Sequence, residues 1–83
     1  MYLHIGQDWM IPYDDIIAIF KRTILDSSPE FRQLFSQWRS EGRVFGDGDE
    51  AKSIILTDRT LLFTSISCHT LLRRAEHPDL PFE

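Results

Sequence analysis

Residues 27–42 constrain this chain more than any other stretch. Ser28 offers a side-chain oxygen to the orphan backbone N–H groups of a helix start. Pro29 suits the first helical position, where no N–H is needed, and Glu30 puts negative charge at the positive end of the helix dipole. Phe31, Leu34, Phe35 and Trp38 then recur at i, i+3, i+4 and i+7, a single broad apolar stripe. Gly42 is placed to end the helix in a left-handed conformation. A helix with one apolar stripe must lay it against another layer, so the remaining apolar segments decide the fold class.

Those segments read as strands. Leu3 and Ile5 share one face of an opening strand, Gly6-Gln7-Asp8 supplies a turn, and Trp9-Met10-Ile11 makes a second short strand that Pro12 breaks. Tyr13-Asp14-Asp15 is a tight connection into the apolar run Ile16-Ile17-Ala18-Ile19-Phe20. That run is too short for a free-standing helix and predicts a strand buried on both faces. After Gly42, Arg43-Val44-Phe45 reads as a short strand and Gly46-Asp47-Gly48-Asp49-Glu50 as an acidic loop. Ser53–Thr57 and Leu61–Thr64 form a hairpin through Asp58-Arg59-Thr60. Ser67 caps a last short helix reaching Arg74, with Leu71 and Leu72 turned inward and Arg73 and Arg74 near its negative end. The tail 77–83, with Pro78 and Pro81, is expected to be poorly ordered.

The prediction is a single α+β domain over residues 1–76, with a small, mostly antiparallel sheet, one main amphipathic helix and a short C-terminal helix. Ile16, Ile17, Ile19, Phe31, Leu34, Phe35, Trp38, Ile54, Leu56, Leu61 and Phe63 are expected to supply the core and part of an oligomer interface.

Size adds a second constraint. A domain of 83 residues buries roughly 60–65% of its unfolded-chain surface and is marginal by itself. Cys68 is the single cysteine, so no internal disulfide braces the chain, and the three histidines lack the paired spacing of a zinc site. With 12% aromatic residues there is apolar bulk to share between copies, and a homo-oligomer is expected. No apolar run approaches the ~18 residues of a membrane span, and MYLHIGQDW lacks the basic-then-apolar order of a secretory signal. A cytoplasmic protein without a cofactor is the expectation.

Chemistry narrows further. Cys68 and His69 are adjacent, and helical neighbours point about 100° apart, which does not make a nucleophile–base dyad. The Asp47–Glu50 loop lacks the alternating ligands and the distant bidentate acid of a calcium loop, and reads as a solvated turn. Gly46-Asp47-Gly48 lacks the lysine and helix start of a nucleotide cradle. Nucleic acid stays open. The net charge of −4 opposes indiscriminate DNA coating, but it is unevenly placed. Residues 1–20 carry Asp8, Asp14 and Asp15 and no base, whereas Lys21 and Arg22 follow the buried strand. Lys52, Arg73 and Arg74 are the candidate phosphate-facing residues, and repetition in an oligomer would multiply weak sites. The competing reading is that these cations solvate the surface or pair with carboxylates.

The order of MYLHIGQDWMIPYDDIIAIF near the start and KSIILTDRTLLFTSISCHTLLRR later resembles the small bacterial extracellular-matrix regulatory proteins RemA and RemB, and looks closer to the RemB branch. The resemblance covers roughly residues 1–24 and 50–75. It implies a non-enzymatic, DNA-associated regulator of biofilm matrix genes, assembling into rings that carry double-stranded DNA around a basic rim. The positions that the resemblance assigns to DNA contact hold Asp15, Asp49 and Glu50 here, all of the wrong sign; Lys52 keeps a base nearby. DNA is then held through Lys52, Arg73 and Arg74, or the protein is an acidic homo-oligomeric module that contacts a protein partner and does not bind DNA directly.

Overall fold

The structure is a computed structural model and describes residues 1–6 and 9–76, so Gln7 and Asp8 of the expected first turn and the tail 77–83 lie outside the described residues. The chain opens with strands β1 (Tyr2–His4) and β2 (Met10–Pro12), paired antiparallel with Leu3 opposite Ile11. A 3-10 turn, Tyr13–Asp15, leads into β3 (Ile16–Lys21). Helices α1 (Ile24–Ser27) and α2 (Pro29–Ser40) follow, then β4 (Val44–Phe45), β5 (Ser53–Thr57), β6 (Leu61–Thr64) and helix α3 (Cys68–Glu76). The larger sheet has the order β3-β5-β6-β4. Its β3–β5 and β5–β6 pairs are antiparallel, while β4 joins β6 in parallel. The architecture is α+β with one main helix and a short C-terminal one, as the periodicities require.

Strand alternation splits the core into two layers. Ile55 and Leu62 point to one face of the sheet, where Leu3, Ile5 and Leu71 from the hairpin and α3 close over them. Ile54 and Leu61 point to the other face, against Phe31, Phe35 and Trp38 of α2 and Ile24 and Leu25 of α1. Ile54, Ile55 and Leu61 are fully buried, and each such side chain contributes about 1.5–3 kcal/mol. Edge-to-face ring pairs tie α2 to the sheet: Phe20 with Phe31 at 5.0 Å and Phe35 with Phe63 at 5.6 Å.

The main helix is bounded as its sequence dictates. The Ser28 hydroxyl accepts from the Phe31 N–H at 3.1 Å. At the other end Gly42 adopts φ +75°, the Arg43 N–H reaches the Trp38 carbonyl at 2.8 Å, and the Gly42 N–H reaches that of Arg39 at 3.1 Å. That pair of bonds is a Schellman cap. The single turn α1 has no counterpart in the apolar periodicity. It is held from outside, because the Arg32 guanidinium donates to the Leu25 and Asp26 carbonyls at 2.9 and 3.1 Å.

Four expectations are corrected. Ile17 is not core: the β3–β5 register slips between Ile16 and Ala18, and this bulge leaves Ile17 62% exposed. For the same reason β3 is not buried on both faces along its length, and it forms one edge of its sheet. Leu72 does not turn inward with Leu71. One helical step rotates it about 100° away, and it is exposed where Leu71 is fully buried. Leu34 is half-buried and stands outside both clusters.

Candidate nucleic-acid interface

Three stretches of chain meet at one corner of the larger sheet. The antiparallel register sets Lys21 opposite Ser53, and the Arg22 N–H extends the ladder to the Lys52 carbonyl at 3.1 Å. Lys52 is anchored on its other side by its own N–H, which donates to Thr64 O at 2.8 Å. The Ser53 hydroxyl donates to Ile66 O at 2.8 Å and draws the connection after β6 onto β5. The Ser67 hydroxyl then caps α3 by accepting from the Thr70 N–H at 3.2 Å. Between these stretches lies a shallow groove of about 400 Å³, edged by Lys21, Arg22, Lys52 and His69. All four side chains are exposed, so the charges of Lys21, Arg22 and Lys52 face solvent.

The residues proposed from sequence divide here. Lys52 sits in the groove. Arg73 follows His69 by four positions on α3, so the two share an exposed face about 6 Å apart along the helix, and Arg73 continues the cationic line. Arg74 belongs elsewhere. It is half-buried, its guanidinium donates to His4 O at 3.1 Å, and its own carbonyl accepts from the Tyr13 hydroxyl at 3.0 Å. Arg74 therefore fastens α3 to the N-terminal hairpin. Lys21, Arg22 and His69 are the groove members that composition and spacing did not single out as a site. The signal for them is the strand register, which brings residues 21 and 52 together.

The acidic positions flank this corner unequally. Asp15 is exposed at the far end of β3 from Lys21. Asp49 and Glu50 are exposed in the loop before Lys52, and Arg22 holds that loop through its Nε, which donates to Gly48 O at 2.9 Å. Inside the loop the Asp49 N–H donates to the Asp47 carboxylate at 2.9 Å. Arg22 thus faces the cationic groove on one side and, with Arg39, Asp47 and Asp49, a mixed-charge groove on the other. Away from both, the Arg43 guanidinium, and after it the Gln37 amide, hold the Glu41 carboxyl below the usual carboxylate range.

The Cys68 thiol is directed at the Ile19 carbonyl, 3.9 Å away, and Cys68 and His69 both line the groove. Among the described residues no group of three or more His, Cys, Asp or Glu side chains is placed to hold a metal ion, and no helix is long and apolar enough to cross a membrane. A search of curated proteins finds no match to this chain. A comparison with protein families does: residues 2–75 match the RemA-like family, described as extracellular matrix regulatory protein A-like. The match runs from the first strand almost to the end of α3, and this chain therefore belongs to the RemA-like family of extracellular matrix regulatory proteins.

Proposed function

We propose that this protein is a non-enzymatic, ring-forming regulator of extracellular-matrix genes, of the RemB branch, that associates with double-stranded DNA through the corner carrying Lys52. The observation that carries this reading is the convergence of Lys21, Arg22 and Lys52, with His69 and Arg73 continuing the line along α3. Each phosphate neutralised by such a cation releases counterions, so the binding is salt-dependent, and repetition around an assembly adds avidity. Self-assembly is supported by the apolar surface the fold leaves outside, with Ile17 on the β3 edge, Tyr2 and Met10 on the hairpin, and Leu72 on α3. A cytoplasmic setting follows from a role at genes.

Gel-shift titration with long duplex DNA at low salt tests the DNA reading. Lys52→Glu is expected to weaken binding and to lower the salt slope by about 1, whereas Arg59→Glu, at the opposite end of β5, changes net charge equally and is expected to do neither. No shift at micromolar protein, or equal weakening by both variants, overturns it. The exposed carboxylates of Asp15, Asp49 and Glu50 favour what would then stand: an acidic homo-oligomeric module that meets a protein partner.

A further inference from the structure

Near the groove the sign of charge changes within a few residues. Lys21, Arg22 and Lys52 edge it, yet Asp49 and Glu50 lie just before Lys52 on the loop that Arg22 holds. An extended polyanion crossing this corner must also run past those carboxylates. A compact anion need not, because interactions beyond about 8–10 Å are screened at ordinary ionic strength. The groove also brings the Thr23 hydroxyl to the same place as the cations, and it opens at the positive end of the α3 dipole. Its volume of about 400 Å³ suits a small molecule.

We propose that this groove binds a compact diphosphate group, that of a phosphorylated small molecule or free pyrophosphate, and that the bound anion competes with DNA. The competition clause rests on the DNA reading above; the binding clause does not. Lys21 and Lys52 supply point charges at its edge, and Arg22 offers the guanidinium nitrogens not engaged by Gly48. Occupancy would raise the local negative charge where DNA must approach and so couple matrix-gene regulation to a phosphorylated metabolite pool.

Pyrophosphate and ADP, each with EDTA to keep them metal-free, are titrated into the full chain at constant ionic strength while backbone amide resonances are followed by NMR. Saturable shifts are expected at Thr23, Lys52, Ser67, Cys68 and His69, with protection of the Cys68 thiol from alkylation as a second readout. Lys52→Glu is expected to raise the apparent dissociation constant roughly tenfold, Lys52→Arg to retain binding, and Arg59→Glu to change it by less than about twofold. Equal affinity for the two ligands assigns recognition to the diphosphate; tighter ADP binding adds a contribution from the rest of the molecule. Absence of saturable shifts at the groove, or equal weakening by Lys52→Glu and Arg59→Glu, overturns the proposal even if DNA still binds. Saturable binding with no DNA shift upholds the site and removes the DNA reading instead. Where both bind, pyrophosphate must release DNA more effectively than chloride of the same ionic strength, or the competition clause falls.

Discussion

Gly46→Ala is expected to be among the most damaging small substitutions in this chain, and the structure says why. Gly46 has φ +97°, a conformation that costs an L-residue roughly 1–2 kcal/mol. A Cβ there would stand 2.6 Å from Phe63 O and 3.0 Å from Phe63 Cβ. An ordinary carbon–oxygen contact is about 3.3 Å, so relief requires the backbone after β4 to move off β6 by roughly 0.7 Å. Overpacking of this kind costs about 1–3 kcal/mol, which brings the total to ~3 kcal/mol. Gly42→Ala is the internal control: φ is +75°, but nothing lies within 4 Å of the added carbon, so a loss of ~1 kcal/mol is expected. Urea unfolding at one fixed protein concentration reads both, since assembly would make stability depend on concentration. With a slope near ~1 kcal/mol/M for so small a domain, Gly46→Ala should lower the midpoint by about 2 M more than Gly42→Ala. Losses equal to within about 0.5 kcal/mol would show that the contact with Phe63 does not limit this turn. The substitution also bears on the site, because Gly46 opens the loop whose Gly48 carbonyl engages Arg22.

Thr64→Val removes a buried hydroxyl that donates to Ile5 O at 2.5 Å and accepts from the Ile66 N–H at 3.1 Å, and is expected to cost about 1–3 kcal/mol in the same unfolding assay. The Glu41 carboxyl, held down chiefly by Arg43, should titrate by NMR below an ordinary glutamate, and Arg43→Gln should move it back up. Because its folded value is depressed, the small stabilisation it gives is present at neutral pH. It is lost as pH falls from the ordinary glutamate value through the lowered one. Neutralising Asp49 and Glu50 together (Asp49→Asn, Glu50→Gln) should tighten diphosphate binding several-fold in the NMR titration, while Asp15→Asn leaves it unchanged.

What could be read from the chain divides by the range of the interaction. The α2 boundaries at Ser28 and Gly42 are local chemistry, settled within a few residues of backbone. The inward face of the hairpin at Leu3 and Ile5 is a period of two. Ile17 escaped because a bulge is a property of a pair of strands, and its apolar side chain reads the same whether the register slips or not. Leu72 escaped because two adjacent leucines on a helix cannot both face one layer, and the sequence does not say which will. The turn α1 escaped because Arg32, six and seven residues downstream of the carbonyls it binds, supplies its support. The same holds for the candidate site. Lys52 was visible as a base beside an acidic loop, but its neighbours Lys21 and Arg22 come from 30 or so residues earlier through the β3–β5 register. Arg74 looked equivalent to Arg73, yet one step of helix rotation turns it toward His4 O.

Core and surface charge are separate in this chain, as Asp15, Asp49 and Glu50 show. All three are exposed, and neither apolar layer depends on them. Their consequences at the surface differ by distance. β3 has six residues, so Asp15 and Lys21 stand roughly 20 Å apart along the strand. At that range two unit charges in water interact by only about 0.2 kcal/mol before screening, and the separation exceeds the Debye length twofold. Asp15 therefore cannot cancel the cationic corner. Asp49 and Glu50 can, because Arg22 ties their loop to the edge of the groove. The corner is thus a short-range electrostatic feature on an acidic protein. Such a feature is strongest for an anion small enough to sit among the cations, and for an extended polymer it needs reinforcement from copies repeated along the polymer's length.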